Sequence, residues 1–197
     1  RAGWFGAGAM AQATGLLHDL GKYTERFQKR LEGEVPRMDH ATWGAVVARQ
    51  RYPSLGPLMA YAIAGHHAGL ANGTPGNEQS RRLSLTERFS RENLDGLPPL
   101  LSDWEREIAL PERVVLPEGF TPRCPRGAFQ LSLLTRMIFS CLVDADFVDT
   151  DNFYRTIEKR RLRAEGNGSP LPDLREKLNA HLVRFPREGG INPLRAN

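Results

Sequence analysis

The 197-residue chain is poor in several features, and each shortage excludes a class of protein. It has only two cysteines, Cys124 and Cys141, too few for the disulfide framework of a small secreted domain, so we expect a cytoplasmic protein with reduced thiols. It has no long uninterrupted apolar run, because its most apolar stretch, 128–148, contains Arg136 and two aspartates and does not suit a membrane span. It also lacks the G-x-x-x-x-G-K-[ST] phosphate loop of nucleotide-driven motors.

The overall composition is that of an ordinary globular protein. Hydrophobic residues make up 40% and charged residues 25% of a chain that is long enough to bury a substantial core. The formal net charge is +4 and the sequence pI is about 9.4. This charge gives a mild preference for polyanionic partners.

Helical periodicity dominates the sequence, and no segment alternates as a strand would, so the predicted fold is an all-α bundle. Asp39 is placed to cap one helix and Pro57 to open the next. Tyr23, Phe27 and Leu31 recur every four residues, as on an amphipathic helix. Helices are predicted at about 9–20, 23–31, 40–51, 57–67, 81–93, 101–109, 128–146, from "DTDNFY" (149–154) onward, and at 171–185.

Four of the five histidines fall early in the chain, three of them in two adjacent pairs, His-Asp and His-His, near the ends of apolar helices. His18 precedes Asp19, His66 precedes His67, and His40 stands at a helix start between the pairs. Imidazole nitrogens together with a carboxylate suit Mn, Fe, Co, Ni or Zn and suit calcium poorly. The fifth, His181, is predicted to be a surface residue.

Four sequence blocks, in this order, carry a resemblance to a known family: "LLHDLGKYTERFQKRL", "DHATWGA", "AGHHAGL" and "SCLVDADFVDT". Together they resemble the HD nuclease domain of the CRISPR-associated helicase-nuclease of type I systems, within the HD phosphohydrolase superfamily. The resemblance implies an HD-domain helical bundle around a two-metal site. In that site Asp19 would bridge two ions, His18 and Asp146 would bind the first, and His40, His66 and His67 the second.

The resemblance also implies an activity and partners. The activity would be metal-dependent endonucleolytic hydrolysis of DNA, preferring single strands, with one or two ions of Mn, Fe, Co, Ni or Mg. The partners would be single-stranded DNA, an RNA-guided surveillance complex and a helicase domain in the same or another chain, with no membrane association. Residues 1–188 would form the nuclease domain, and 189–197 resemble the start of a linker towards the helicase.

The family pattern has a further histidine on a helix upstream of the His-Asp pair, and residues 1–17 contain none, so either the sequence begins after that helix or the protein lacks this ligand. The first ion would therefore keep only His18, Asp19 and a late aspartate, whereas the second keeps three histidines and Asp19. We expect one tight ion and a second that is weak or missing.

Lys22 is a candidate catalytic residue, because it lies three residues after Asp19, where its ammonium could meet a scissile phosphate. The alternative is a cation that complements a helix C-terminus. The basic stretches 81–91 and 158–163 could follow a nucleic-acid backbone, with Phe89 available to stack on a base. A solvated surface explains the individual arginines equally well.

Three late aspartates compete for the last ligand position. Asp149 could cap a helix that begins after it, and Asp144 continues a polar stripe. Asp146 lies on the apolar side of the predicted helix, where a carboxylate needs a cation to offset its desolvation. Asp146 is therefore the preferred ligand.

Two other functions remain as alternatives to the nuclease. One is a nucleotide or cyclic-nucleotide phosphohydrolase of HD type, against which the basic charge and the last two blocks count. The other is a non-catalytic HD module that binds a partner. In such a module we would expect some of the metal-ligand residues to be replaced. Because all five early ligand positions are intact, the sequence favours an enzyme.

Overall fold

The computed structural model describes residues 1–36, 38–75, 83–163 and 171–184. Apart from turns, loops and one isolated bridge between Thr24 and Leu100, the regular structure of these residues is helical, which confirms the all-α prediction. Short 3-10 turns lie at Ala2–Phe5 and Leu20–Lys22. The α-helices are α1 (Gly8–Leu17), α2 (Glu25–Leu31), α3 (Thr42–Arg51), α4 (Gly56–Gly65), α5 (Leu85–Arg88), α6 (Arg91–Asp95), α7 (Trp104–Glu107), α8 (Gly127–Ile157) and α9 (Leu171–Leu182).

The chain divides into two compact units, Arg1–Asp151 and Asn152–Asn197. The first contains α1 to α7 and most of α8. In the second, the described residues are the end of α8, the turn after it and α9, on which His181 is exposed as predicted. The predicted linker at 189–197 lies outside the described residues.

The core of the first unit forms where α1, α3 and α4 pack against one another. Burying a large apolar side chain stabilises the fold by about 1.5–3 kcal/mol, so these contacts fix where the helices end. The largest fully buried apolar side chains are Met10, Leu17, Leu20, Met59, Ile63 and Ile138. Leu17 and Ile63 stand close to the ends of α1 and α4, which anchors the residues that follow each helix.

Two glycines permit close backbone approaches near these helix ends. A β-carbon on Gly44 would clash with the carbonyl oxygen of Leu17, so only glycine lets α3 lie this close to the end of α1. A β-carbon on Gly21 would clash with the backbone of His40, whose carbonyl accepts a 2.9 Å hydrogen bond from the Gly21 N–H. The two glycines therefore set the distance between the His18–Asp19 pair and His40.

Two predicted early helices differ in detail from the observed ones. Helix α1 ends at Leu17 rather than near residue 20, so His18 and Asp19 lie just beyond it. Helix α2 begins only at Glu25, because the Thr24 side chain caps it by accepting the Phe27 N–H. Phe27 is buried but Leu31 is 69% exposed, so the predicted apolar stripe is wrong at Leu31.

The later helices correct two further predictions. Helix α8 runs through Asp149 without a break, so the proposed cap at that residue is wrong. The basic helix predicted at 81–93 is instead two short helices, because Ser84 forms a capping box with Glu87 and Ser90 caps α6. Residues 81 and 82 lie outside the described residues. No helix in the described part of the chain is both long and apolar enough to cross a membrane.

Candidate metal centre

The ends of two core helices and the start of a third bring ligand atoms together. Asp19 follows α1, His66 and His67 follow α4, and His40 precedes α3. One potential ligand atom from each of these four residues lies within 4.8 Å of the other three. The sequence predicted all four as metal ligands, and their convergence is a property of the fold.

One carboxylate oxygen of Asp19 faces histidines, and we call its surroundings the Oδ1 face, formed by His40, His66 and His67. Asp19 Oδ1 lies 3.3 Å from His40 Nε2 and 3.5 Å from His66 Nε2. His67 completes the group, since its Nε2 lies 2.8 Å from His40 Nε2.

The other carboxylate oxygen has different surroundings, which we call the Oδ2 face, formed by His18, Lys22 and Asp146. Asp19 Oδ2 lies 2.5 Å from Lys22 Nζ and 3.2 Å from His18 Nε2. Asp146 is further out, with Oδ1 3.7 Å from His18 Nε2. His18 and Asp146 do not belong to the four-residue cluster.

Hydrogen bonds to main-chain carbonyls fix the orientation of two rings. His18 Nδ1 lies 2.7 Å from the Gly15 carbonyl oxygen, and His66 Nδ1 lies 2.7 Å from that of Ile63. Because a carbonyl can only accept, each Nδ1 carries a proton, and in the neutral ring Nε2 keeps its lone pair. Ligand histidines in metal sites are oriented in the same way.

The atoms that face one another at the centre lack hydrogen-bond partners. His18 Nε2, His66 Nε2 and Asp19 Oδ1 are buried and make no hydrogen bond despite their short separations. Lone pairs of imidazole and carboxylate repel unless a proton or a cation lies between them, and leaving such atoms unpaired costs about 1–3 kcal/mol each. The centre therefore fits a bound cation.

The electrostatics favour an ionised carboxylate at Asp19 and a neutral imidazole at His67. Burial opposes ionisation of Asp19, but His18, His40 and His66 outweigh it and hold its pKa well below the usual value. Burial and the neighbouring imidazoles of His66 and His40 lower the pKa of His67, which favours its ligating form. Burial also acts to lower the pKa of His18, but Asp19 and the Gly15 carbonyl more than compensate and raise it.

The donor set of the Oδ1 face fits a divalent transition metal. Three imidazole nitrogens and a carboxylate oxygen suit Zn, Mn, Fe, Co or Ni. Magnesium, which was among the predicted ions, prefers oxygen ligands and retained waters and is the poorest match.

Asp144 and Asp146 lie on different sides of α8, as the helical periodicity of the sequence predicted. Asp146 faces His18, with its side chain 32% exposed. Asp144 is 55% exposed and pairs with Arg1 at 2.7 Å. A ligand role for Asp146 stays a prediction.

A cleft of about 270 Å³ opens beside the Oδ1 face, and it contains Arg88, a cation from the basic stretch 81–91. Arg88 donates from Nη1 to Asp39 Oδ2 at 2.9 Å and to Thr42 Oγ1 at 3.3 Å, while its buried Nε has no hydrogen-bond partner. Asp39 also caps α3, as predicted, by accepting the N–H groups of Ala41 and Thr42. The lining residues are Met38, Asp39, His40, Ala41, Ala64, His67, Ala68 and Arg88.

The comparison with protein-family models gives a match. The family model described as "HD domain" matches residues 6–108, which are 103 of the 197 residues. The matched segment includes His18, Asp19, His40, His66 and His67. No curated protein matches the chain.

Proposed function

This chain belongs to the HD domain family, and on that premise we propose that it is a divalent-metal-dependent phosphohydrolase that cleaves phosphodiester bonds. The observation that supports this proposal is that buried imidazole nitrogens and a carboxylate oxygen of Asp19 lie close together without hydrogen-bond partners. Leaving buried polar atoms of this kind unpaired is costly, and a cation at their centre would offset that cost.

Each residue of the site has a chemical part in this hydrolysis. When bound, a divalent ion supplies Lewis acidity, which polarises a phosphoryl oxygen and makes water more acidic. The four clustered side chains would hold it. Lys22, fixed by Asp19 and 47% exposed, presents an ammonium that can neutralise charge developing on a non-bridging oxygen. Arg88, in the adjoining cleft, presents a second cation suited to a phosphate.

The narrower function is a nuclease that prefers single-stranded DNA, as the sequence resemblance implies. It is supported by the four sequence blocks, the net positive charge and the two cations near the ligand cluster. Recruitment by an RNA-guided surveillance complex and association with a helicase stay predictions from the resemblance alone.

The second candidate is an HD-type nucleotide or cyclic-nucleotide phosphohydrolase. The family match, which carries no information on substrate, supports it as well as it supports the nuclease. The volume of the cleft also favours it, because 270 Å³ lies near the lower end of the roughly 300–1,000 Å³ typical of ligand pockets. The non-catalytic alternative is disfavoured because the ligand cluster is intact.

The general proposal is tested with bis(p-nitrophenyl) phosphate, a small phosphodiester, in the presence of Mn, Co, Ni or Mg. We expect hydrolysis that requires the ion and stops when EDTA is added. Replacement of an exposed carboxylate on α6, Asp95→Asn, is the matched control and should leave the rate unchanged. Absence of hydrolysis with every ion would contradict the proposal.

A substrate panel then separates the two narrower functions. Cleavage of circular single-stranded DNA identifies an endonuclease, because a circle has no ends for an exonuclease. Hydrolysis of nucleoside phosphates or cyclic nucleotides without cleavage of the circle identifies the second candidate.

A further inference from the structure

A second cleft of about 330 Å³ lies on the other side of α5 from the one beside the ligand cluster. Its lining comes from α3, α4, α5, the loop before α5 and Phe89, which directly follows α5, and it shares no residue with the first cleft. The lining residues are Arg49, Pro57, Tyr61, Gly73, Leu85, Thr86 and Phe89.

The chemistry of this second cleft is cationic and aromatic. The guanidinium carbon of Arg49 lies 4.3 Å from the centre of the Phe89 ring, so one face of the guanidinium stacks on the ring. Arg49 is exposed, and among the described residues no carboxylate pairs with it. The described residues that line the cleft include no Asp or Glu. Its charge therefore suits a phosphate, and its stacked arginine suits the face of a base.

The wall between the two clefts is well fixed. The Leu85 N–H donates to the Asn72 carbonyl at 2.8 Å and the Thr86 N–H to that of Gly73 at 3.2 Å. The Thr86 hydroxyl also donates to the Gly73 carbonyl. These bonds hold α5 so that Arg88 lines the first cleft and the next residue, Phe89, lines the second.

The two clefts are also close together along α4. Tyr61 lines the second and Ala64 the first, and three residues of helix correspond to a rise of about 4.5 Å. The axial rise per nucleotide of a duplex strand, about 3.4 Å, is a lower limit for the spacing of neighbouring phosphates, so a single strand of a few nucleotides is long enough to reach both clefts. A mononucleotide or a small phosphodiester occupies only one.

We propose that the Arg49–Phe89 cleft binds a nucleotide that neighbours the cleaved one in a single-stranded polynucleotide. The proposal rests on the phosphohydrolase function proposed above and gives its substrate class. Arg49 would pair with a backbone phosphate through the edge of its guanidinium and stack on a base through its open face. The second cleft would then contribute to the binding of long substrates and not to the chemistry of hydrolysis.

The test compares a long and a short substrate on the same protein. In Arg49→Gln we expect the KM for a 12-residue oligothymidylate to rise about five- to tenfold, as for one lost charged or stacking contact, with kcat nearly unchanged. Both constants for bis(p-nitrophenyl) phosphate should stay as in the wild type. Phe89→Leu, which keeps apolar volume but removes the ring, should give a smaller rise of the same kind.

Arg51→Gln is the matched control, since it removes the same charge from an exposed position on the same helix that does not line the cleft. The proposal predicts no selective loss of oligonucleotide affinity in this variant. An equal rise in KM in the Arg49 and Arg51 variants would overturn it, because the effect would then be one of net charge. An equal loss of kcat/KM for the oligothymidylate and for bis(p-nitrophenyl) phosphate in Arg49→Gln would overturn it as well.

Further measurements separate this inference from the general function. Fluorescence anisotropy with a labelled oligothymidylate and with an oligouridylate, in EDTA, measures strand binding without catalysis and shows whether DNA or RNA is preferred. Weaker binding of either strand by Arg49→Gln supports the cleft even if no phosphodiester is hydrolysed. Hydrolysis of the small phosphodiester with unchanged oligonucleotide binding in the variant overturns the cleft and leaves the general function intact.

Discussion

The two oxygens of Asp19 differ in one respect that decides where a metal is needed. Among the described residues, the nitrogen neighbours of Oδ1 are imidazoles, His40 Nε2 at 3.3 Å and His66 Nε2 at 3.5 Å, with His67 against His40. Around Oδ2 is the ammonium of Lys22, at 2.5 Å, together with His18. The Oδ1 face is a ligand set that lacks a cation, whereas the Oδ2 face already contains one.

This difference shows how one carboxylate can serve two purposes. A metal ion on the Oδ1 face would relieve the repulsion among neutral imidazoles and the carboxylate. A second ion on the Oδ2 face would have to displace or repel Lys22, since like charges a few ångströms apart destabilise each other. The position of Lys22 supports the prediction of one tight and one weak ion, independently of the histidine that residues 1–17 lack.

Removing the carboxylate common to both faces should have the largest effect. Asp19→Asn is nearly isosteric but loses the charge, and we expect the hydrolysis rate to fall by about a thousandfold or more, the scale of several kcal/mol of metal-based stabilisation. The rate with bis(p-nitrophenyl) phosphate measures the loss, and circular dichroism checks that the helices remain. Hydrolysis at the wild-type rate would show that the cluster is not the catalytic centre.

Metal content should separate the two faces directly. The wild-type protein should retain about one ion per chain after dialysis, measured by mass spectrometry of the metal. His40→Ala should weaken that ion by at least about 100-fold, because losing even a residue that only orients a ligand costs about 10–100-fold. His18→Ala should leave it bound. Two equally tight ions in the wild type would contradict the assignment of the tight ion to the Oδ1 face. Loss of the tight ion in His18→Ala but not in His40→Ala would contradict it as well.

Much of this site could be predicted from the sequence, because its parts are local. The pairs His18–Asp19 and His66–His67 each follow an apolar helix, and a buried apolar helix end places whatever follows it beside the core. The side of α8 on which Asp146 lies also follows from local periodicity. These features need only helix geometry and the preference of apolar side chains for burial.

The features that the sequence did not reveal depend on distant contacts or on competing local signals. Arg88 and Asp39 are 49 residues apart, and no spacing rule connects them. The run from Asp149 to Asp151 contains good capping residues, yet α8 continues because no Gly or Pro follows Gly127 within it to end the helix. At Ser84 the opposite holds, since a capping box begins a new helix inside a stretch predicted to be continuous.

Removing the Lys22 ammonium from the Oδ2 face tests its effect on catalysis and on the binding of a second ion. Lys22→Gln keeps the length of the side chain approximately and removes its charge, so we expect kcat to fall by about 10–100-fold, towards the effect of losing one transition-state donor. The Oδ2 face should then accept a second Mn ion more readily, which a manganese titration followed by electron paramagnetic resonance would detect.

Lys29→Gln is a suitable control for Lys22→Gln, because Lys29 pairs with Glu25 on the exposed side of α2 and with no other carboxylate among the described residues. It should change neither kcat nor manganese binding. If Lys22→Gln bound no additional manganese and kept full activity, the ammonium would be a surface charge without a role at the site.

The smallest expected effect concerns the two aspartates of α8. Asp146 Oδ1 lies 3.7 Å from His18 Nε2, close enough to share a weakly bound ion on the Oδ2 face, whereas Asp144 forms an exposed ion pair with Arg1. Asp146→Asn should therefore reduce binding of the weak manganese ion about tenfold, at the low end for an altered ligand environment, and leave the tight ion unchanged. Asp144→Asn should change neither, because exposed ion pairs contribute only about 0–1 kcal/mol. Manganese titrations of both variants and the wild type decide between them, and selective loss of the weak ion in Asp144→Asn would show that the wrong side of α8 had been assigned to the site.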